Sequence, residues 1–208
     1  MARTIAKDHD KKRQSILAVA ANVFAHEGIA RASMNQVAKA AGISKANIYH
    51  YYDSKEALLF DILDTYLSEL KNRVSAIDLD GYPPEEQLHL ILREYLLAYE
   101  GMDYEHTIQS EGVSLLPEHM QKVLKAYQKD MVAQMSNILN AISGGKLQDD
   151  GSLLREVTMS VFGMLNWYYM WHPKATRADR EGYAKTVARF TVAGLPGVLS
   201  NVQCPASS

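Results

Sequence analysis

Cysteine is almost missing from this chain of 208 residues, whose single thiol belongs to Cys204. One thiol cannot build a disulfide framework, a Cys-x-x-Cys redox pair or a cysteine-rich zinc site, and it suits a reducing cytoplasm. Long apolar runs are missing too. No stretch of about 18 predominantly apolar residues occurs, nor the short apolar core of a signal peptide, so no membrane segment is expected. The seven histidines are scattered, and none joins a cluster with metal-ligand spacing. Paired carboxylates with a plausible common pocket, a nucleophile beside a base and a glycine-rich phosphate loop are all wanting. No catalytic residue, metal or cofactor is therefore expected, and an enzyme working in a C-terminal cavity is the weaker alternative. Period-two alternation is absent as well, as are internal repeats and low-complexity segments, which leaves helices as the building material.

What is present is 47% hydrophobic residues, enough for a substantial core and too many for a disordered chain. The formal net charge is only -2, but it is unevenly placed. Residues 1–55 carry nine Lys and Arg against four Asp and Glu, while residues 56–208 carry 13 against 20. The N-terminal quarter is thus the part that would attract phosphate.

The densest helix punctuation lies in that quarter, from Ser33 to Lys55. Ser33 with Gln36 reads as a capping box, Met34, Val37, Ala38 and Ala41 give an apolar face, and Gly42 reads as a stop. Ser44 can cap a second short helix, and Asp53 with Glu56 suggests a third capping box. Two short helices joined by a glycine-bearing turn are the helix-turn-helix geometry, whose second helix enters the major groove. Lys45, Asn47, Tyr49 and His50 on that helix offer a phosphate-seeking cation, an amide able to pair with adenine, and rings able to meet phosphate or thymine methyls.

The full pattern, F-x-x-x-G-I-x-x-A-S-M-x-x-V-A-x-x-A-G-I-S-K-x-x-I-Y-x-Y-Y-x-S-K-E-x-L-L, resembles the DNA-binding domain of the tetracycline-repressor (TetR) family of bacterial transcription regulators, and the likeness covers roughly the first seventy residues. The resemblance implies an all-helical homodimer, with Ser44, Lys45, Ala46, Asn47, Tyr49, His50 and Tyr51 in the DNA-reading segment and Ser33 and Lys55 as phosphate contacts.

The remaining chain reads as helices throughout. A polar arm leads into a helix from about Asp10 to Glu27, with Lys11, Lys12 and Arg13 as candidate phosphate contacts. A lever-like helix follows from Ser54 to about Ala76, roughly 30 Å long by the rise per residue. Further helices are expected from Glu85 to about Met102, from Tyr104 to about Val113, from Pro117 to Gly144, after Asp149 and Asp150 to about His172, and from Arg177 to Ala193, the last stopped by Gly194 and Pro196. The expected architecture is all-α, about nine helices, with a DNA-binding domain at 1–55 and a ligand-binding and dimerisation domain at 56–208.

Two features of the second domain suggest partners. The stretch from Val157 to Trp171 is apolar nearly all round, so a second subunit is expected to cover one side, with Val161, Gly163, Tyr183, Val187 and Phe190 at a homodimer interface. Aromatics and methionines, together with Gln109, form a candidate pocket for an organic effector: Tyr95, Tyr99, Met102, Tyr127, Met131, Met164, Trp167, Tyr168 and Trp171. Asn166 could help orient such a ligand, whereas His106 is read as a surface histidine. The segment MLNWYYMWHP and the helix after it resemble TetR regulators that answer to coenzyme A thioesters in fatty-acid, phenylacetate and steroid catabolism. That likeness implies an acyl-CoA or aryl-CoA effector, its phosphates met by groups such as Lys125, Lys129, Arg155 or Arg177. The expected function is a repressor released from a palindromic operator by its effector; a ligand-independent or activating regulator is the alternative.

Overall fold

The computed structural model describes residues 2–200, residues 2–8 by their backbone alone; Cys204 lies outside this range. Helix α1 spans Ala2–Glu27, so the expected polar arm is helical backbone. Nothing between Ala2 and Glu27 breaks a helix, neither Gly nor Pro, and alanine recurs through it. The short helices α2 (Met34–Ala40) and α3 (Lys45–Tyr51) follow, then α4 (Lys55–Ser75), α5 (Pro84–Ala98), α6 (Asp103–Gly112) with a one-turn 3-10 extension at Val113–Leu115, and α7 (Glu118–Ile142). The chain continues through α8 (Gly151–Asn166), the four-residue α9 (Tyr168–Trp171) and α10 (Arg177–Ser200). No strand occurs among the described residues.

Three boundaries depart from expectation for local reasons. Ser54, not Asp53, caps α4: its Oγ accepts the Ala57 N–H at 3.0 Å, because the helix starts one residue later than a box on Asp53 would need. The helix expected to reach His172 breaks after Asn166, with Trp167 as C-cap; the break leaves Tyr168 only 2% exposed and Trp167 63% exposed. Helix α10 runs through Gly194 and Pro196 to Ser200. Pro196 removes one N–H from the last turns, but Leu195 is buried beside it and keeps that segment packed.

The chain forms two compact units, Met1–Glu69 with Met102–Tyr127, and Leu70–Gly101 with Gln128–Ser208. Two of the three boundaries between these units fall inside helices, α4 and α7. A sequence pattern marks where a helix ends, not where its packing partners change. In the first unit, α1 packs on α2 and α6 around Ile16, Ala20, Phe24, Val37, Ile48, Leu59 and Leu63, all at most 2% exposed. Gly112 of α6 sits so close to this core that a Cβ there would lie 3.2 Å from Leu63 Cδ1 and 3.3 Å from Ile29 Cδ1. In the second unit, α10 packs along α5 over Leu88, Ile91, Leu92, Leu96, Ala184 and Val187. Arg180 is buried there, its Nη1 donating to the Leu96 carbonyl at 3.1 Å and its guanidinium 5.8 Å from the Tyr168 ring centroid. That carbonyl lies in the last turn of α5, where a cation meets the negative end of the helix dipole.

Candidate nucleic-acid interface and effector region

The helix-turn-helix is built by local hydrogen bonds. The Ser33 Oγ accepts the Gln36 N–H at 3.3 Å while the Gln36 Oε1 accepts the Ser33 N–H at 2.9 Å, completing the capping box at the start of α2. Gly42 adopts φ 65°, and the Ile43 N–H then donates to the Ala38 carbonyl at 3.0 Å, closing the turn. Ser44 starts α3 by accepting the Asn47 N–H at 3.1 Å. Ile48, fully buried, fixes which side of α3 faces inward. That placement leaves Ser44, Lys45, Ala46, Tyr49 and His50 on the outside and Asn47 and Tyr51 half-buried. Tyr51 stacks on His9 of α1, centroids 4.9 Å apart with 25° between the planes, and meets His50 edge-on at 5.9 Å.

Several basic groups are placed differently from the expectation. The Lys55 Nζ donates to the carbonyls of Ile29 at 2.9 Å, Ala30 at 3.1 Å and Ala32 at 3.1 Å. An ammonium has three N–H donors, and three backbone acceptors of the α1–α2 turn lie within hydrogen-bond distance of this one. Arg13 likewise pairs with Asp61, its Nε at 2.9 Å from Oδ2 and its Nη2 against Oδ1; the hydrogen bond to Asp61 raises the guanidinium pKa further above its ordinary value. Tyr52, the C-cap of α3, donates its hydroxyl to the same carboxylate at 2.6 Å, and burial followed by the Asp61 hydrogen bond pushes its pKa up. Lys11 and Lys12 remain exposed. Sequence reading missed the group of Arg13, Tyr52 and Asp61, because its members come from three helices and form no spaced motif.

The residues expected to line an effector pocket are divided between the two units. In the first, Gln109 donates to His106 Nδ1 at 3.3 Å, and Tyr127 donates to Asp64 at 3.1 Å. Met102 precedes α6 as its N-cap. His106 is not a surface group: it is 6% exposed, with Tyr66 Oη 2.8 Å from its Nδ1. In the second unit, Tyr95 packs edge-on against Phe162 at 5.5 Å, and Tyr99 donates to Asn166 Oδ1 at 2.9 Å. Met131 is buried and Met164 half-buried. Tyr168 stacks on Tyr183 at 4.5 Å and 15°, and Tyr183 donates to the Met164 carbonyl at 3.2 Å. Trp167 and Trp171 face outward.

A cleft of about 740 Å³ lies elsewhere in the second unit, lined by Ile142, Leu153, Leu195 and Leu199 together with Lys146 and Asp149. Among the groups considered for phosphate, Lys125 bonds Gln121 at 2.8 Å and Arg177 reaches Glu181 at 3.4 Å, while Lys129 and Arg155 are exposed.

The residues named for a dimer interface also separate. Val161 and Val187 are each 1% exposed and belong to the unit's own core. Tyr183 is half-buried. Gly163 and Phe190 point outward, with nothing within 4 Å of a Cβ built on Gly163. Phe190 is 69% exposed, and Met159, Trp167 and Met170 add exposed apolar surface on α8 and α9.

Comparison with known proteins places this architecture. Residues 16–62 match the bacterial regulatory proteins of the tetR family, and residues 81–195 match the tetracyclin repressor-like C-terminal domain. The HTH-type transcriptional repressor KstR2 of Rhodococcus jostii is 30% identical over 96 residues, which is 46% of this chain and 46% of that repressor; the match thus spans about half the length of that curated relative. A TetR-family transcriptional regulator from Bordetella parapertussis superposes with a TM-score of 0.80 at 28% identity, covering 86% of this chain and 93% of that one. FadR from Bacillus subtilis, solved in complex with stearoyl-CoA, shares the fold with a TM-score of 0.65 at 18% identity, covering 87% of this chain and 98% of that one. With the second family match alone covering more than half of its length, the chain belongs to the tetR family of bacterial regulatory proteins.

Proposed function

We propose that this protein is a transcriptional repressor that acts in the cytoplasm as a homodimer on a palindromic DNA operator and is released by a small organic effector. The observation that carries the DNA reading is the capped, buried-side-in placement of α3, which turns Lys45, Ala46, Tyr49 and His50 outward as a set. A helix so presented can place cations on phosphates and side chains against base edges. Two-fold pairing is supported by the exposed apolar side chains of Met159, Trp167 and Phe190, which a partner subunit would cover. A dimer reads two half-sites, hence the palindrome.

The effector class in this reading is an acyl-CoA or aryl-CoA. Its support is the likeness of MLNWYYMWHP to thioester-responsive regulators and the fold shared with a protein crystallised with stearoyl-CoA. Such a ligand shifts DNA binding only through unequal affinity for the two states of the protein. Helices α4 and α7 each contribute to both compact units, so a ligand-dependent change in either helix has a covalent route to the other.

Selection of duplexes from a random pool, followed by binding at rising salt, tests the DNA reading. A two-fold symmetric consensus and a steep salt dependence are expected; equal affinity for all sequences would overturn it. Native mass spectrometry of the dimer with a panel of CoA thioesters, paired with release from the selected duplex, tests the effector class. Operator binding unchanged by every thioester would remove the CoA reading and leave the DNA reading standing.

A further inference from the structure

We infer that Lys55 is a positioning residue which sets the angle of the DNA-reading helices by holding three backbone carbonyls of the α1–α2 turn, and is not itself a phosphate contact; the inference rests on the DNA-binding reading above. Lys55 is the first residue of α4. Its acceptors, the carbonyls of Ile29, Ala30 and Ala32, precede the α2 N-cap Ser33 directly. The turn is also closed from within, since the N–H groups of Arg31 and Ala32 both donate to the Gly28 carbonyl, at 3.1 Å and 3.0 Å. Carbonyls just past a helix end have no helical partner, and a compact ammonium with three donors can satisfy several at once.

The second attachment lies one helix later. Tyr52, at the end of α3, donates to Asp61 of α4, which Arg13 of α1 also holds. The start of α2 and the end of α3 are therefore both fastened to the first two turns of α4, by Lys55 and by Asp61. With one fastening lost, α2 and α3 keep their own caps and their mutual turn but can tilt as a pair against α4. A tilted recognition helix loses base-edge contacts, which depend on register, before it loses attraction to phosphate, because Lys11, Lys12, Lys39 and Lys45 stay exposed.

The test compares wild type, Lys55→Met and Lys55→Arg on the duplex selected by wild type and on mixed-sequence fragments of equal length, each over a salt series. Both variants should lose operator-over-mixed discrimination by about tenfold or more, the scale of one mispaired base contact, with the salt slope unchanged. Arginine keeps the charge but its planar fork does not reproduce the three-way ammonium geometry. A slope reduced by about 0.9 per lost phosphate in Lys55→Met, with affinity and slope kept in Lys55→Arg, would identify a phosphate contact and overturn the inference, as would discrimination unchanged in both variants. Should Lys55→Met not fold, amide hydrogen exchange at Arg31 and Ala32 in Lys55→Arg decides: at least tenfold faster exchange there supports the clamp and unchanged exchange overturns it. A wild type that selects no sequence at all would instead sink the DNA reading itself.

Discussion

Lys45 and Asn47 stand two residues apart at the start of α3, and they should answer differently to the same substitution. Lys45 is exposed at the first helical position, and Lys45→Ala should weaken binding on all sequences and lower the salt slope by about 0.9 for each phosphate released. Asn47→Ala should relax preference at one base pair by about 1 to 3 kcal/mol and leave the slope alone. Filter binding or fluorescence anisotropy on operator variants measures both, and equal loss in the two mutants on every duplex would count against these roles. Glu105 poses a different residue-scale question. Burial lifts its carboxyl above the ordinary value of 4.5, and its Oε2 has no hydrogen-bond partner. Because the folded-state pKa is raised, the stability this group contributes is complete below the ordinary glutamate pKa and is lost as pH rises through the folded value. Glu105→Gln, neutral at every pH, should therefore raise the Tm near pH 8 and change it little near pH 4, as calorimetry at the two pH values would show; equal shifts at both would refute the assignment. Neither Glu105 nor the burial of His106 could be read from sequence, where both stand on a polar stretch of α6.

Among elements, the helix-turn-helix was the most legible, and for a local reason. Ser33, Gln36, Gly42 and Ser44 act on backbone groups no more than a few residues away, so their spacing alone predicts where α2 and α3 begin and where the first ends. Gly42 offers a clean measure of that local logic. It holds φ 65°, and nothing lies within 4 Å of a Cβ built there, so Gly42→Ala brings no clash but should cost about 1 kcal/mol of backbone strain. Urea unfolding would register the loss, and a stability equal to wild type would mean the turn is not held at this angle in solution. The long helices were less legible at their ends. The break at Trp167 and the passage of α10 through Pro196 depend on which side chains find burial, Tyr168 and Leu195 in these cases, and a run of apolar residues looks the same whether or not it is interrupted.

For the whole molecule, pairing of two chains is the feature on which the proposed operator symmetry depends. Phe190→Glu places a charge on a side chain now 69% exposed, so the isolated chain should keep its fold, while desolvating that charge at a subunit interface should disfavour the dimer. Sedimentation velocity should then show monomer, with the helical circular dichroism retained and affinity for the palindrome reduced to that for a half-site. A variant that stays dimeric with unchanged affinity would move the interface away from α10. Caps, glycines and apolar periods act over one or two turns, so the all-α class, the helix-turn-helix and most helix starts can be read from the residues alone. Only packing between distant segments pairs Lys55 and Arg13 within the chain, with partners 23 to 26 and 48 residues away. It also decided which aromatics of α8 and α9 turn inward and where the two compact units divide. Those outcomes depend on contacts between segments far apart in the chain, and no local pattern encodes the distance between them.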